Sequence, residues 1–166
     1  GIDFVNRSLE KKEFNIFNYR NFYNGGGVAI GAVNNDGLSD LFVTSNFEDN
    51  KLYLNKGGMH FEDITKQAGI VGKKFWSTGV TFADVNGDGF ADVIIGAPGR
   101  QNGGASYVVF GKAGGFASVI RLSGLNGTTG FRLDGAGVGD LSGTSVAPAG
   151  DFNGDGASDI LWRNTH

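Results

Sequence analysis

The chain has 166 residues, 40% of them hydrophobic, enough for one packed core and too many for a disordered polymer. The formal net charge is −3 and the basic residues form no cluster beyond Lys11-Lys12 and Lys73-Lys74, so nothing in the charge balance argues for nucleic acid. Cysteine is absent, which excludes disulfides and zinc–thiolate sites, and no run approaches the ~20 apolar residues of a membrane span.

Glycine is the outlier, with 30 residues where an ordinary chain devotes about 7% of its length. There are only two prolines and no G-x-y period, so collagen is excluded, and glycine among many Phe, Val and Ile reads as an all-β chain with tight turns. In chain order, Gly1-Ile2-Asp3-Phe4 lacks the pattern of a secretory signal, and Asp3-Phe4-Val5 is a short β-prone run. Glu10 to Asn24 is aromatic and polar without a clean period and reads as a connection.

From there the chain repeats. Val28-Ala29-Ile30, Val80-Thr81-Phe82 and Ser145-Val146-Ala147 each lead into a loop: Ala32–Asp40 (AVNNDGLSD), Asp84–Asp92 (DVNGDGFAD) and Asp151–Asp159 (DFNGDGASD). The central aspartates Asp36, Asp88 and Asp155 are 52 and 67 residues apart. After each loop comes a near-continuous apolar run, Leu41-Phe42-Val43, Val93-Ile94-Ile95 and Ile160-Leu161-Trp162, which suits a strand buried on both faces. Third strands fit residues 51–54 and 106–110, and fourth strands 61–64 and 131–133. A four-stranded unit of period near 60 with both faces apolar reads as a β-propeller blade. The expected division is an outer strand of a preceding blade plus connection (1–24), a first blade (25–75), a second (76–135) and half of a third (136–166).

The loops have the chemistry of calcium. That ion takes about six to eight hard oxygen ligands in flexible geometry. In the second loop Asp84, Asn86 and Asp88 offer side-chain oxygens, Phe90 its carbonyl, and Asp92 closes the shell, with Gly89 at the sharp turn. In the third, the same parts fall to Asp151, Asn153, Asp155, Ala157 by its carbonyl, Asp159 and Gly156. Three carboxylates in nine residues would repel one another without a cation, and magnesium, which demands stricter octahedral geometry, suits such a loop less well. In the first copy Ala32 replaces the opening Asp, leaving Asn34, Asp36, Leu38 by its carbonyl and Asp40, so weak or lost binding is expected. An EF-hand would require a bidentate Glu at loop position twelve, where Val43, Ile95 and Trp162 stand. The single glycine-rich stretch Gly135–Asp140 reads as a loop.

With Asp84-Val85-Asn86-Gly87-Asp88-Gly89 followed by Ile95-Gly96-Ala97-Pro98, the sequence resembles the FG-GAP family, the blades of the integrin α-subunit propeller and its bacterial relatives. The resemblance covers nearly the whole chain. It implies a calcium-stabilised propeller for adhesion or for binding a protein or glycan ligand, commonly outside the cell, at its surface or in the periplasm. Residues 1 to about 82 resemble VCBS repeats of cartilage-acidic-protein-like bacterial proteins, about 83 to 150 haemolysin-type FG-GAP proteins, and the last stretch a third, secreted VCBS type. The joins fall near the shared loops, which motivates the expectation of a composite chain, and one natural gene encoding the whole stretch contiguously would remove it.

No enzyme is expected. His60 and His166 are the only histidines, Ser142, Ser145 and Ser158 have no partnered His, and no G-x-S-x-G elbow occurs. Tyr53, Trp76, Tyr107 and Trp162 could stack on sugars but sit in or beside strands, where packing between blades is the simpler role. The alternatives are a structural module whose partners are further blades or copies of itself, and a propeller segment of a polysaccharide-acting enzyme.

Overall fold

A computed structural model describes residues 1–12, 15–17, 22–70, 76–100, 102–113, 116 and 122–164. The chain is all-β apart from one short helical turn and one 3-10 turn among those residues. Strands β1 (Val28–Gly31), β2 (Asp40–Val43), β3 (Lys51–Asn55) and β4 (Phe61–Asp63) form an antiparallel meander in that order. A second meander follows the same plan: β5 (Val80–Ala83), β6 (Asp92–Ala97), β7 (Ala105–Val109) and β8 (Gly130–Asp134). Strands β9 (Ser145–Gly150) and β10 (Asp159–Arg163) pair with each other alone. These are the blades and half-blade of a propeller, and every strand expected within them is present with its ends within three residues of the expectation.

The blades face one another, and this is why their middle strands read as unbroken apolar runs. All residues of β6 and β7 are buried. Because successive side chains alternate across a sheet, Val93, Ile95, Ala97, Ala105, Tyr107 and Val109 pack toward the first blade, in one core with Phe42 and Leu52. Ile94 and Val108 take the other face and meet Val146 and Ile160 of the half-blade. Among the described residues no third strand covers the half-blade, and Leu161, the counterpart of the fully buried Phe42 and Ile94, is 63% exposed beside a half-exposed Trp162.

Polar contacts set the spacing of the blades. Thr44 Oγ1 donates to Thr78 O at 2.6 Å, and Thr78 Oγ1 in turn donates to Gly143 O at 3.2 Å. Ser142 N donates to Gly103 O at 2.8 Å beside the parallel bridge between Gly104 and Ser142. After β4 the helical turn Thr65–Ala68 ends at Gly69 in the left-handed region (φ 62°), which drops Ile70 into the core.

One expectation needs amending. Asp3-Phe4-Val5 forms no strand; the segment runs along the first blade, where Asp3 O accepts from Tyr53 OH at 2.8 Å and Asn6 Oδ1 accepts from Asn46 N and Ser45 Oγ, both at 3.1 Å. Among the described residues no three-stranded sheet stands unfinished for a fourth strand to complete, and the segment is tied down by these single bonds instead. Trp76, Phe22 and Phe47 build a separate aromatic cluster, with ring centroids 5.0–6.0 Å apart, so Trp76 is occupied by packing. Tyr53 and Tyr107 are fully buried, and Trp162 alone of the four aromatics keeps a free face. Gly135–Asp140 is a loop, closed by Gly137 N on Asp140 Oδ2 at 2.7 Å. Lys73, Lys74, His166 and much of the Glu10–Asn24 connection lie outside the described residues.

Candidate metal centre

Each loop joins the first two strands of a blade, and the ladder fixes its ends. Gly31 pairs with Asp40, Ala83 with Asp92 and Gly150 with Asp159, so the residue before each loop and the loop's ninth position are held together at the mouth of a hairpin. All three therefore lie at the same end of consecutive blades.

In the second loop the chain curls around its opening carboxylate. Asp84 accepts from Gly87 N at 2.8 Å, Asp88 N at 3.1 Å and Gly89 N at 2.8 Å. Asn86 Nδ2 donates to Asp88 Oδ2 at 2.9 Å, and Phe90 N to Asp88 Oδ1 at 2.9 Å. The third loop repeats this almost atom for atom. Asp151 accepts from Gly154 N, Asp155 N and Gly156 N at 2.7, 3.0 and 2.9 Å. Asn153 Nδ2 reaches Asp155 Oδ2 at 3.0 Å, and Ala157 N reaches Asp155 Oδ1 at 2.8 Å. Two loops of different sequence context adopting one wrap indicates that the motif itself dictates it.

The first loop keeps the turn and loses the centre. With Ala32 at the opening, Asn35 N makes only a 3.4 Å bond to Ala32 O. Asn34 and Asp36 retain their mutual bond (2.9 Å), and Leu38 N still donates to Asp36 Oδ1 at 2.8 Å. These donors hold the Asp36 carboxyl below its ordinary range, the Leu38 N–H contributing most. Asn35 takes the left-handed conformation (φ 59°) that Gly87 and Gly154 take in the other copies, a shape Asn tolerates better than most residues.

The ninth position has a function the sequence does not advertise. Asp92 is wholly buried, and its carboxylate bridges the loop to the end of the third strand: Oδ2 accepts from Val85 N and Oδ1 from Gly111 N, both at 2.8 Å. Asp40 does the same with Val33 N at 2.8 Å and Asn55 N at 2.9 Å. The brace survives in the loop that has lost its opening Asp, so it serves shape independently of any ion. Asp159 accepts from Phe152 N at 2.8 Å, and among the described residues no third strand lies beside it to complete the brace. Burial pushes the Asp92 carboxyl up to about 6, with Asp88 and Asp84 adding to the rise against the pull of the two N–H donors. Asp40 is also raised by burial. A cation against Asp92 would favour its charged form and relieve that cost.

The donor set fits a hard divalent cation in kind. Each carboxylate oxygen has two lone pairs, so an oxygen that accepts one N–H retains another. Among the described residues no three Asp, Glu, His or Cys side chains close on a common point. The ligand sphere of a loop would therefore draw on Asn86 or Asn153 and on the carbonyls of Phe90 or Ala157 as well as on carboxylates, in keeping with the oxygen number calcium takes. Sequence reasoning missed the rim of the second loop: a cavity of about 210 Å³ lined by Asn86, Asp88, Phe110, Gly111, Lys112, Thr128 and Thr129. Gly111 is required there, since a Cβ would come within 2.5 Å of Ala91 O.

Four-stranded antiparallel blades, each with its first two strands joined by an aspartate-rich loop, define a β-propeller segment. The family models agree: residues 33–95 match the FG-GAP-like repeat and residues 142–166 the FG-GAP repeat. The chain belongs to the FG-GAP repeat family. It is 30% identical to integrin alpha-2 of Bos taurus over 151 residues, covering 83% of this chain and 13% of that protein. It is 29% identical to integrin alpha-4 of Xenopus laevis over 153 residues, 83% of this chain and 14% of that one. Cartilage acidic protein 1 of Xenopus tropicalis is 38% identical over 77 residues, covering 46% of this chain and 12% of that protein. The chain thus spans about one seventh or less of the curated relatives it matches. No helix among the described residues is long and apolar enough to cross a membrane.

Proposed function

We propose that this chain is a calcium-stabilised, non-catalytic propeller segment that serves adhesion or recognition of a protein or glycan ligand outside the cell. The observation that carries the reading is the pair of matching loops, Asp84–Asp92 and Asp151–Asp159, wrapped alike at the same end of neighbouring blades. The integrin likeness supports the adhesive part. A bound calcium ion would supply the positive charge that offsets three carboxylates and ties the first two strands of a blade together. Asp84, Asn86, Asp88, Phe90 and Asp92 would hold it in one loop, and Asp151, Asn153, Asp155, Ala157 and Asp159 in the other. The non-catalytic part is supported by how the polar residues are used. Ser142 is buried in a contact between blades, and loop carboxylates are engaged by main-chain donors.

A second reading, a structural module completed by further blades or by copies of itself, is favoured by the exposed Leu161 and Trp162 of the half-blade. One experiment separates the two. The immobilised chain is probed with a glycan array and a panel of extracellular-matrix proteins, in calcium and in EDTA, beside a measurement of solution mass. Calcium-dependent capture of a glycan or matrix protein is the expected result. Absence of capture by a chain whose mass is that of a multimer would overturn the first reading in favour of the second.

A further inference from the structure

The two intact loops are joined to each other, and the joint involves their binding segments. Ser158 N donates to Asp84 O at 2.7 Å. Asp84 opens one loop, and Ser158 lies between the carbonyl of Ala157 and the closing Asp159 of the other. A side chain begun at Gly87 would lie 3.8 Å from Ala157 Cβ, so the loops touch along their edges as well. Beneath them, Val85 of one loop and Ile160, the residue after the other, pack on the same Ile94–Val108–Val146 core. Neither loop can settle around its opening carboxylate without setting the position of its neighbour.

We propose that loops 84–92 and 151–159 take up calcium with positive cooperativity, each filled loop ordering the other through the Asp84–Ser158 bond and their shared core. The inference rests on the calcium reading above. The sign follows from two opposed effects. Two bound cations repel, but each would sit among the three carboxylates of its own loop, which offset its charge, and apart from the buried Asp92 both loops lie at least partly open to solvent, where salt weakens what repulsion is left. Against that, a loop already held by its neighbour has less conformational freedom left to lose when it closes on an ion. Ordering prevails because it acts through direct contact.

Calorimetric titration of the metal-free full chain with calcium chloride tests this. Asp155→Ala leaves only loop 84–92 and Asp88→Ala only loop 151–159, so each variant reports one single-loop constant. The product of the two wild-type association constants is expected to exceed the product of the single-loop constants by about fivefold or more, the low end of common couplings. Ser158→Pro removes the linking N–H and no ligand oxygen, and should shrink that ratio toward one. Wild-type uptake of two ions with a ratio of one would overturn the coupling while leaving the calcium reading intact. No calcium heat in the wild type would remove both.

Discussion

Asp92→Ala is expected to destabilise the chain by about 2–4 kcal/mol even in EDTA, because it strands two main-chain donors. Val85 N, half-buried, and Gly111 N, buried, both lose the Asp92 carboxylate as acceptor, and a buried donor left unmet costs about 1–3 kcal/mol, a half-buried one less. Part of the loss is returned, since a carboxyl pushed up to about 6 by burial is costly to keep charged at neutral pH. Asp92→Asn should recover about half, as its amide offers one acceptor and turns an NH₂ toward the other donor. Asp40→Ala, in the loop without an opening Asp, should cost nearly as much, since its two bonds are equivalent. Denaturant midpoints at unchanged m-value measure all three. A loss below about 0.5 kcal/mol for Asp92→Ala would show that the brace carries no stability, being no larger than an ordinary surface substitution.

The second large effect is expected at Gly143. This residue adopts φ 85°, and a Cβ there would sit 2.4 Å from Ala105 O and 3.0 Å from Ala97 N, both main-chain atoms of the second blade. Gly143→Ala should cost more than about 3 kcal/mol, combining a left-handed strain of ~1–2 kcal/mol with forced separation of backbones. The damage should be local: residues 136–164 become protease-sensitive while the first two blades stay protected. Gly154→Ala is the control, since it shares the dihedral (φ 77°) but has nothing within 4 Å of the new Cβ. Equal losses in the two variants would mean that strain matters there and blade contact does not.

Much of this fold was legible because propeller blades bury both faces. Val93-Ile94-Ile95 reads as a strand with two dry sides, and Ile95 and Ile94 do go to different neighbours. The loops were legible through the spacing of Asp, Asn and Gly, and the demotion of the first copy followed from one letter, Ala32. The braces were not, because half of each is a backbone N–H: nothing in the identity of Asn55 or Gly111 marks it as a donor to Asp40 or Asp92. The N-terminal run was misread as strand because β-propensity at Asp3–Val5 says nothing about whether a ladder is available. The Phe22–Phe47–Trp76 cluster joins segments far apart in sequence and has no local period. Relatives that cover 83% of the chain necessarily run across the join expected near residue 82.

The most direct test of calcium as the staple of these blades is a thermal melt in millimolar calcium and in EDTA. Binding only to the folded state adds about 2.7 kcal/mol per site at a hundred times its dissociation constant, and a chain of this size gains about 2–4 °C per kcal/mol. Two filled loops should therefore raise Tm by about 10 °C or more. Asp88→Ala and Asp155→Ala should each remove at least half of the rise, and Asp36→Ala should leave it unchanged. Superimposable melts of the unaltered chain with and without chelator would contradict the account.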